Sequence, residues 1–594
     1  MWYDVAELDT DDARPQGNTR TYLKRLWPFF RPHVGRIAAA GVLLVFSTGL
    51  GLVGPVLLKR AIDVNIGSRD LTGLAATSVL YIIVQVTMLA ANYFQNIWLA
   101  QVGERGAAAL KQTLFSHLLN LPMSFFDRTP VGKLISRVES DTEAVKMLFT
   151  RTSVMMIQSG LMLVGMSTVM AVTDLRLYLL IAALLPPFVV ALWLFQRKVR
   201  PVYLDIRRAV AETNSLVSET LKGLPVIQVF CQQPRFAERM DELNRLKFKG
   251  ELRAMVLWNI VWFLVDFGEV VATGLVLAAG GLMALDGRLT VGTLFLFVAY
   301  IARLFGPLRA ISDQINIMQR AFASAERSFQ ILDQSPEPEG TDQSLSLRFE
   351  RELACESVGF TYNGTELVLK DIDLVVRRGE KVALVGETGG GKSSIINLLL
   401  KFYPPSKGRI VYDGKDLAEI DRRRLRRVIG FVPQEVVMFP GTVLDNLRMF
   451  DETIPLGQVV SAAQRVHIHS AIMKFPQGYD SVLTEGGANF SLGERQLLAF
   501  ARALVRDPQI LILDEATSSV DPHTEYLIQQ GLEELLKGRT SLIVAHRLAT
   551  IRMADRVVVI HKGRVAEQGT HDELLAAQGI YSRLYRLQYV AEGS

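Results

Sequence analysis

Cysteine is nearly absent from this chain of 594 residues, which has only Cys231 and Cys355. The two lie far apart, so the sequence excludes a disulfide framework and a metal site built from cysteines. A strong excess of one charge is also missing. The formal net charge of +5 fits basic loops beside an anionic membrane leaflet better than a nucleic-acid surface, and no nucleic-acid partner is expected. Residues 1–17 are polar and acidic, so no cleavable signal peptide is expected there.

Apolar residues are abundant. They make up 49% of the chain, and the mean hydropathy is +0.23. A chain of this length should hold at least two domains, and this composition predicts that one lies in a lipid bilayer. Residues 19–36 interleave aromatic and basic side chains, as in a helix at the membrane interface. Six apolar runs, each long enough to span a bilayer, then follow at 37–58, 71–99, 154–172, 177–195, 255–285 and 291–308.

The loops between these runs set the orientation. Lysine and arginine concentrate in two long segments, 101–151 and 196–253, and the other connections are short. This asymmetry predicts that both long loops and both termini are cytoplasmic. Residues 107–121 and 209–229 carry apolar side chains at helical spacing. We therefore expect the helices beside the loops to run well past the membrane.

Two acidic side chains interrupt the fifth apolar run, close to two tryptophans. Asp266 and Glu269 are three residues apart and would share a helix face, with Trp258 and Trp262 preceding them. Carboxylates at membrane depth face a water-filled cavity or a partner. These residues therefore either line a substrate path or pair structurally with a base such as Arg303. The amides of the second run admit the same two interpretations: Gln85, Asn92, Gln95 and Asn96.

The most specific motif begins at Gly386 and fits the phosphate-loop pattern at every fixed position. It consists of Gly386, Glu387, Thr388, Gly389, Gly390, Gly391, Lys392 and Ser393. A short apolar strand precedes it, and a helical segment from Ser394 follows it, as the motif requires. Lys392 would reach the β- and γ-phosphates, and the Ser393 hydroxyl would bind Mg²⁺. The sequence therefore predicts a nucleoside triphosphate site.

Two further apolar strands end in side chains suited to phosphoryl transfer. Residues 510–513 lead into Asp514 and Glu515, and residues 541–545 lead into His546. We expect Asp514 to hold Mg²⁺ and Glu515 to polarise the attacking water. The linker before this half contains proline, glycine and acids at 332–340. Beyond it, strands alternate with helices, which predicts an α/β ATPase.

In this order the motifs resemble an exporter-type (type IV, B-family) ABC half-transporter from about residue 20 to the end. The resemblance implies a membrane α-helical bundle of six long transmembrane helices with cytoplasmic extensions, fused to an α/β P-loop ABC ATPase domain. The expected domains are a polar tail at 1–18, a transmembrane domain at 19–330, a linker at 331–345 and a nucleotide-binding domain at 346–594. The first cytoplasmic loop, near 125–141, resembles the coupling loop of such exporters. The tip of the second, near 208–219, would then dock on a partner subunit.

The resemblance also assigns roles to single residues. Tyr362 would stack on adenine, Gln434 would contact Mg²⁺, and His546 would contact the γ-phosphate. Asp521 belongs to the segment that faces the other subunit. Residues 484–487 match the family segment that faces the coupling helices. The expected cofactors are ATP and Mg²⁺.

The family signature is altered in this chain. The usual Leu-Ser-Gly-Gly-Gln appears as Phe-Ser-Leu-Gly-Glu, with Ser491, Gly493 and Glu494 in the positions that would meet a γ-phosphate. Leu492 adds a side chain where a glycine allows close approach, and Glu494 adds a negative charge. Both changes should weaken this contact. They favour a heterodimer, in which this chain is the half with the catalytic glutamate and the partner supplies an unaltered signature; a homodimer is the alternative.

The expected function is that of an ATP-hydrolysing exporter subunit in the cell membrane, with its ATPase domain in the cytoplasm. The substrates would be amphipathic small molecules, as in multidrug export, or lipids. Two alternatives stay open: a homodimeric lipid flippase or exporter, and an ATP-gated regulatory ABC protein. A fused six-span domain excludes a soluble ATPase, and the exporter-like topology disfavours import.

Overall fold

A computed structural model describes residues 19–337, 347–514, 521–545 and 547–587. The polar tail at 1–18 and part of the expected linker, 338–346, lie outside the described residues. The chain forms two compact units. The first comprises the residues up to Leu119 and Val131–Gln334. The second comprises Asn120–Pro130 and the residues from Ser335 onward. A short segment of the first long loop therefore belongs to the same unit as the phosphate loop.

The part of the chain before the linker is helical throughout its described length. Its helices are α1 Thr19–Phe30, α2 Val34–Arg60, α3 Leu71–Leu118, α4 Met123–Arg128, α5 Val131–Met147, α6 Ser153–Thr173, α7 Leu175–Ala182, α8 Leu185–Lys222, α9 Leu224–Val229, α10 Gln233–Leu285 and α11 Val291–Leu332. Short π-helical turns at Ala61–Ile66 and Leu148–Thr152 follow α2 and α5. Of these helices, α4 belongs to the second unit.

All six apolar runs lie on helices. Four described helical stretches are long and apolar enough to cross a membrane: Arg20–Ile66, Leu71–Leu118, Val131–Thr173 and Gln233–Leu285. The fourth and sixth runs form shorter apolar stretches, Leu175–Pro187 and Val291–Pro307. The fourth run is divided between α7 and α8, because Pro186 and Pro187 lack an N–H group and favour the first turn of a new helix.

Capping side chains fix where several of these helices begin. Asp70 accepts a 3.0 Å hydrogen bond from the N–H of Gly73 at the start of α3. Asp174 accepts one of 2.9 Å from Arg176 at the start of α7. Each cap satisfies a backbone N–H that has no partner within the helix. The short connections predicted from polar residues therefore end at defined helix starts.

The two long basic segments are helical, as the spacing of their apolar residues predicted. Helix α3 has 48 residues and α10 has 53, which correspond to about 72 Å and about 80 Å. The position of the second loop's tip was wrong, because residues 208–219 lie inside α8. The chain turns only after Lys222, where Gly223 and then Cys231, with φ of 52°, interrupt the helix. The tip is therefore formed by α9 and its flanks.

Two carboxylates tie α11 to other helices of the first unit. Asp63 accepts hydrogen bonds from the Thr290 hydroxyl at 2.5 Å and the Gly292 N–H at 2.6 Å, which joins the end of α2 to the start of α11. Asp141 of α5, which is 4% exposed, accepts a 3.0 Å hydrogen bond from Nε of Arg327 in α11. Because both ions of this second pair are withdrawn from water, each depends on the other for its charge to be tolerated.

The second unit contains two sheets. The strands are β1 Glu352–Phe360, β2 Leu369–Arg377, β3 Lys381–Val385, β4 Lys407–Tyr412, β5 Lys415–Asp416, β6 Ile429–Val432, β7 Ile510–Asp514, β8 Thr540–Val544, β9 Arg556–His561 and β10 Arg564–Gly569. An antiparallel sheet has the order β2-β1-β4-β5, and a larger sheet has the order β10-β9-β3-β8-β7-β6. In the larger sheet β9, β3, β8, β7 and β6 are parallel. This confirms the α/β ATPase fold.

Helices cover the larger sheet. They are α12 Lys392–Leu399, α13 Arg422–Val428, α14 Val443–Arg448, α15 Leu456–Arg465, α16 His469–Ile472, α17 Leu492–Val505, α18 Pro522–Leu536, α19 Leu548–Arg552, α20 His571–Ala576 and α21 Ile580–Tyr585. The parallel strands are buried almost end to end and are therefore nearly continuous apolar runs. Helix α12 contributes Ile395 and Leu399 to one core, and α17 contributes Leu497 and Phe500 to the other. Buried cores on both sides of the sheet hold the strand ends in place.

Candidate nucleotide-binding site

The predicted site residues follow the carboxyl ends of neighbouring parallel strands. The phosphate loop follows β3, Asp514 ends β7, and Gln434 lies two residues after β6. In register, Leu384 of β3 pairs with Val544 of β8. Since parallel strands end at one edge of the sheet, these groups converge there. The predicted site residues Glu515 and His546 lie outside the described residues.

The phosphate loop requires glycine at two positions. Gly386 has φ of 149° and Gly391 has φ of 107°. A Cβ atom on Gly386 would lie 2.1 Å from the carbonyl oxygen of Ile560, and one on Gly391 would lie 2.6 Å from Cδ2 of Leu369. No other residue fits either position without moving the β9 backbone or the β2 side chain. The tight loop therefore brings its N–H groups to the start of α12, where anions are favoured.

Lys392 lies at the centre of the loop. Its Nζ donates to the carbonyl oxygens of Gly386 at 2.7 Å and Glu387 at 3.0 Å. The residue is 6% exposed. Burial lowers the pKa of Lys392, and the nearby Asp514 carboxylate opposes this shift. A cation held beside a curled backbone and a carboxylate is suited to polyphosphate oxygens.

Three oxygen-bearing side chains could hold Mg²⁺. Ser393 is exposed in the first turn of α12, Asp514 is half-buried at the end of β7, and Gln434 is exposed after β6. A hydroxyl, a carboxylate and an amide oxygen are the hard ligands that Mg²⁺ prefers, with water and phosphate completing its shell. The residues present therefore fit the ion.

Tyr362 lies beside the phosphate-loop helix with part of its ring open to solvent. The residue is 40% exposed, so it is not a core tyrosine. Its hydroxyl lies 3.1 Å from Oγ of Ser394 and accepts a 3.2 Å hydrogen bond from Asn397. A ring fixed by its hydroxyl next to a phosphate site can offer a face to a base. Ser394, by contrast, is buried, and its described contact is with Tyr362.

The altered signature forms the start of α17. Oγ of Ser491 accepts from the Glu494 N–H at 3.2 Å, and the Ser491 N–H donates to the Glu494 carboxylate at 2.8 Å. This reciprocal pair is a capping box. Leu492 is 47% exposed, whereas Gly493 is buried. The Ser491 O–H can still donate outward, but a carboxylate now lies within the first turn of the helix.

Asp521 has a structural role of its own. Its carboxylate accepts a 3.0 Å hydrogen bond from the Thr524 N–H and caps α18. Hydrogen bonds from Thr524 lower the pKa of Asp521. Its expected position, in a segment that faces the other subunit, stays a prediction. Sequence reasoning missed Asn397 and Tyr403, which both contact Tyr362, because their partners are distant in the chain.

The predicted substrate-path residues lie along α10. Trp258 donates a 2.8 Å hydrogen bond from Nε1 to the Tyr203 hydroxyl. Trp262 and Asp266 are exposed, and Glu269 is half-buried. Arg303, their suggested structural partner, donates to the carbonyl oxygen of Gly51 at 3.3 Å. The substrate-path assignment stays a prediction.

A polar cavity lies elsewhere in the first unit, between α3 and the start of α6. Its volume is about 540 Å³. The side chains that line it include Asn92, Gln95, Asn96, Arg151 and Gln158. Gln95 is 3% exposed, and its Oε1 has no hydrogen-bond partner in the described part of the chain. A buried amide oxygen without a donor is costly, so this cavity is suited to a ligand that donates a hydrogen bond.

A phosphate loop at the edge of a parallel sheet, joined in one chain to membrane-spanning helices, defines an ATP-driven membrane transporter. Residues 37–308 match the transmembrane region of ABC transporters, and residues 369–518 match the ABC transporter ATPase region. The chain belongs to the ABC transporter family and is an exporter with an ATPase domain.

Full-length relatives agree with this assignment. The ATP-dependent lipid A-core flippase of Syntrophus aciditrophicus is 32% identical over 578 residues, covering 97% of this chain and 96% of the flippase. The multidrug resistance-like ATP-binding protein MdlB of Buchnera aphidicola is 31% identical, covering 95% and 98%. The structure of a bacterial Atm1-family ABC exporter with ATP bound superposes with a TM-score of 0.77 at 25% identity, covering 93% and 98%. The match extends over both units.

Proposed function

We propose that this chain is one half of a dimeric exporter that moves amphipathic small molecules or lipids out of the cytoplasmic side of a cell membrane by alternating access. The observation that carries the proposal is the convergence of the phosphate loop, Asp514 and Gln434 at one sheet edge in a chain with membrane-spanning helices. The basic loops support cytoplasmic termini and a cytoplasmic ATPase domain.

The proposed roles combine the positions of the described residues with the order of the motifs in the sequence. The loop N–H groups and Lys392 bind the phosphates, and Ser393, Asp514 and Gln434 supply oxygens for Mg²⁺, which would neutralise the developing phosphate charge. Glu515, the next residue after Asp514, accepts a proton from the attacking water. His546, which follows β8 in the sequence, would hold that geometry. The closure of two such domains around ATP drives the switch of the membrane helices.

The cavity between α3 and α6 supports an amphipathic substrate. Its lining combines amides and Arg151 with apolar side chains such as Leu99, Val154 and Met155. It lies where the second and third apolar runs meet the long loop between them. The polar head of an amphipathic substrate could form hydrogen bonds with the amides, and its apolar body could pack against the apolar side chains. Relatives described as a lipid flippase and as multidrug resistance-like fit this range.

We infer a second ABC half-transporter as the partner, with a different chain favoured. The tip of the second loop exposes Val226, Val229 and Phe230, at 60%, 77% and 68%, an apolar surface suited to burial against a partner. The altered signature at 491–494 favours a partner whose own signature is unaltered. A homodimer is the alternative, and mass spectrometry of the complex solubilised in mild detergent distinguishes the two.

The proposal is tested by transport in proteoliposomes. The purified complex should move a fluorescent phospholipid or an amphipathic dye only with hydrolysable ATP and Mg²⁺. Gln95→Leu should lower the stimulation of ATPase activity by that substrate while leaving basal ATPase activity unchanged. The matched control is Gln85→Leu, a second-run amide outside the cavity lining. ATP-dependent ion leakage without substrate movement would instead identify an ATP-gated regulatory protein.

A further inference from the structure

The cytoplasmic loop at Asn120–Pro130 contacts Tyr403, which packs against Tyr362 of the nucleotide site. The hydroxyl of Tyr403, four residues after the end of α12, donates a hydrogen bond to the carboxylate of Asp127 in α4. Tyr403 is 7% exposed. Burial, together with Asp127, raises the pKa of Tyr403, so its hydroxyl remains a donor at neutral pH. The contact joins residues 276 positions apart.

The ring of Tyr403 then braces Tyr362. The two ring centroids are 5.2 Å apart at an interplanar angle of 84°. Phe360 lies edge-on to Tyr362 as well, at 4.7 Å and 79°. Edge-to-face contacts of this kind restrain the direction in which a ring can turn. The hydrogen bonds of the Tyr362 hydroxyl to Ser394 and Asn397 restrain its other end.

The loop has a second attachment that does not involve these rings. Arg422, 6% exposed, donates to the Glu337 carboxylate at 2.9 Å and to Oδ1 of Asn120 at 3.4 Å. The carbonyl oxygen of Asn120 accepts from the Glu337 N–H at 2.8 Å. The start of the loop is therefore fixed without the contact between Asp127 and Tyr403. That contact can then serve to orient the aromatic rings.

We propose that Tyr403 is a positioning residue for the nucleotide base, and that Asp127 sets its orientation. The inference rests on the proposed function, in which Tyr362 stacks on adenine. Tyr403 holds the Tyr362 ring so that its open face meets the base. The hydrogen bond from the Tyr403 hydroxyl to the Asp127 carboxylate of the loop fixes the position of Tyr403. The loop that contains α4 is continuous in the chain with α3 and α5, so binding of the base is linked to the position of the loop. The factor by which base binding shifts the equilibrium between loop positions equals the factor by which loop position changes the affinity for the base.

The test separates the base from the phosphates. Dissociation constants of ATP and of inorganic tripolyphosphate are measured on the purified full-length complex in lipid nanodiscs. Tyr403→Ala should weaken ATP binding by about two- to tenfold, the size of an aromatic contact, and leave tripolyphosphate binding unchanged. Tyr403→Phe and Asp127→Ala should each weaken ATP binding to a smaller, equal extent. Their combination should be no weaker than either alone, since both remove the same hydrogen bond.

Two variants serve as controls. Asp127→Asn keeps an acceptor oxygen and should restore native ATP affinity. Tyr412→Phe removes the hydroxyl of another buried tyrosine, whose oxygen has no hydrogen-bond partner in the described part of the chain, and should change nothing. A parallel loss of tripolyphosphate affinity in the Tyr403 variants would show a merely structural role and overturn the proposal.

A separate variant, Tyr362→Ala, distinguishes failure of the proposed function from failure of this inference. Tyr362→Ala must weaken ATP binding relative to tripolyphosphate binding if Tyr362 stacks on adenine. If it does, and the Tyr403 and Asp127 variants leave that ratio unchanged, only the positioning role is wrong. If Tyr362→Ala itself leaves the ratio unchanged, the adenine-stacking assignment fails and the inference fails with it.

Discussion

The N–H of Ser491 donates a 2.8 Å hydrogen bond to the Glu494 carboxylate, which lies in the first turn of α17. The carboxylate therefore serves the helix as a cap. In the family this helix start faces the γ-phosphate of the other subunit's ATP. Glu494 thus stabilises its own domain, and we predict that its charge opposes closure around the nucleotide.

Glu494→Gln should strengthen that closure. The Gln side-chain oxygen can still accept from the Ser491 N–H, so the cap is kept while the charge is removed. Two like charges about 8 Å apart at an effective dielectric constant of about 20 repel by about 2 kcal/mol. ATP-dependent nucleotide trapping should rise severalfold. Glu494→Ala, which also loses the cap, is the control and should lower the melting temperature. Unchanged trapping in Glu494→Gln would show that the charge does not face phosphate.

Glu515→Gln should abolish turnover without abolishing ATP binding. A positioned general base contributes about 10²- to 10⁴-fold to such a reaction, and the phosphate loop is untouched. Steady-state ATPase activity and equilibrium ATP binding are measured on the same preparation. Glu533→Gln, an exposed acid on α18, is the matched control and should hydrolyse ATP normally. Near-native turnover by the Glu515 variant would contradict the assignment.

Asp141→Ala should destabilise the first unit strongly. It leaves Arg327, whose side chain is 17% exposed, without its carboxylate, and breaking a buried pair in this way costs about 3–5 kcal/mol. Glu356→Ala breaks the exposed pair with Arg409, at 2.7 Å, and should shift the melting temperature little, because water screens an exposed pair. Thermal unfolding in detergent compares the two. Equal shifts would mean that burial does not decide the strength of the pair.

Acid should weaken the second unit through Glu380. Burial opposes its ionisation, but hydrogen bonds from Arg556 at 2.7 Å and from the Arg377 N–H at 2.9 Å outweigh this and lower the pKa of Glu380. A lowered folded-state pKa gives stability that is present above the unfolded value of about 4.3 and is lost as the pH falls through the folded value. The melting temperature is measured from pH 7 to 3.

Glu380→Gln should flatten that decline, because the amide does not titrate. Glu419→Gln, an exposed acid on the same unit, should decline with pH as the native chain does. If both variants follow the native profile, the ion pair with Arg556 does not contribute to the acid sensitivity.

Local sequence determined much of this protein. The apolar runs marked the membrane helices, because hydrophobic length is a property of the chain alone. The phosphate loop could also be predicted from the sequence, since Gly386 and Gly391 adopt backbone conformations that only glycine tolerates. The strand ahead of Asp514 could be read from its continuous apolar side chains, because a parallel strand is buried on both faces.

Tertiary structure decided the rest. Neither Asp127 nor Tyr403 carries a local signal for the other, because a contact between residues 276 positions apart depends on how the whole unit folds. The buried Gln95 lines a cavity only because α3 packs near α6. The second loop turns beyond residues 208–219, because α8 continues to Lys222. Short-range backbone preferences and hydrophobicity are written in the chain, whereas the meeting of distant side chains is set by packing.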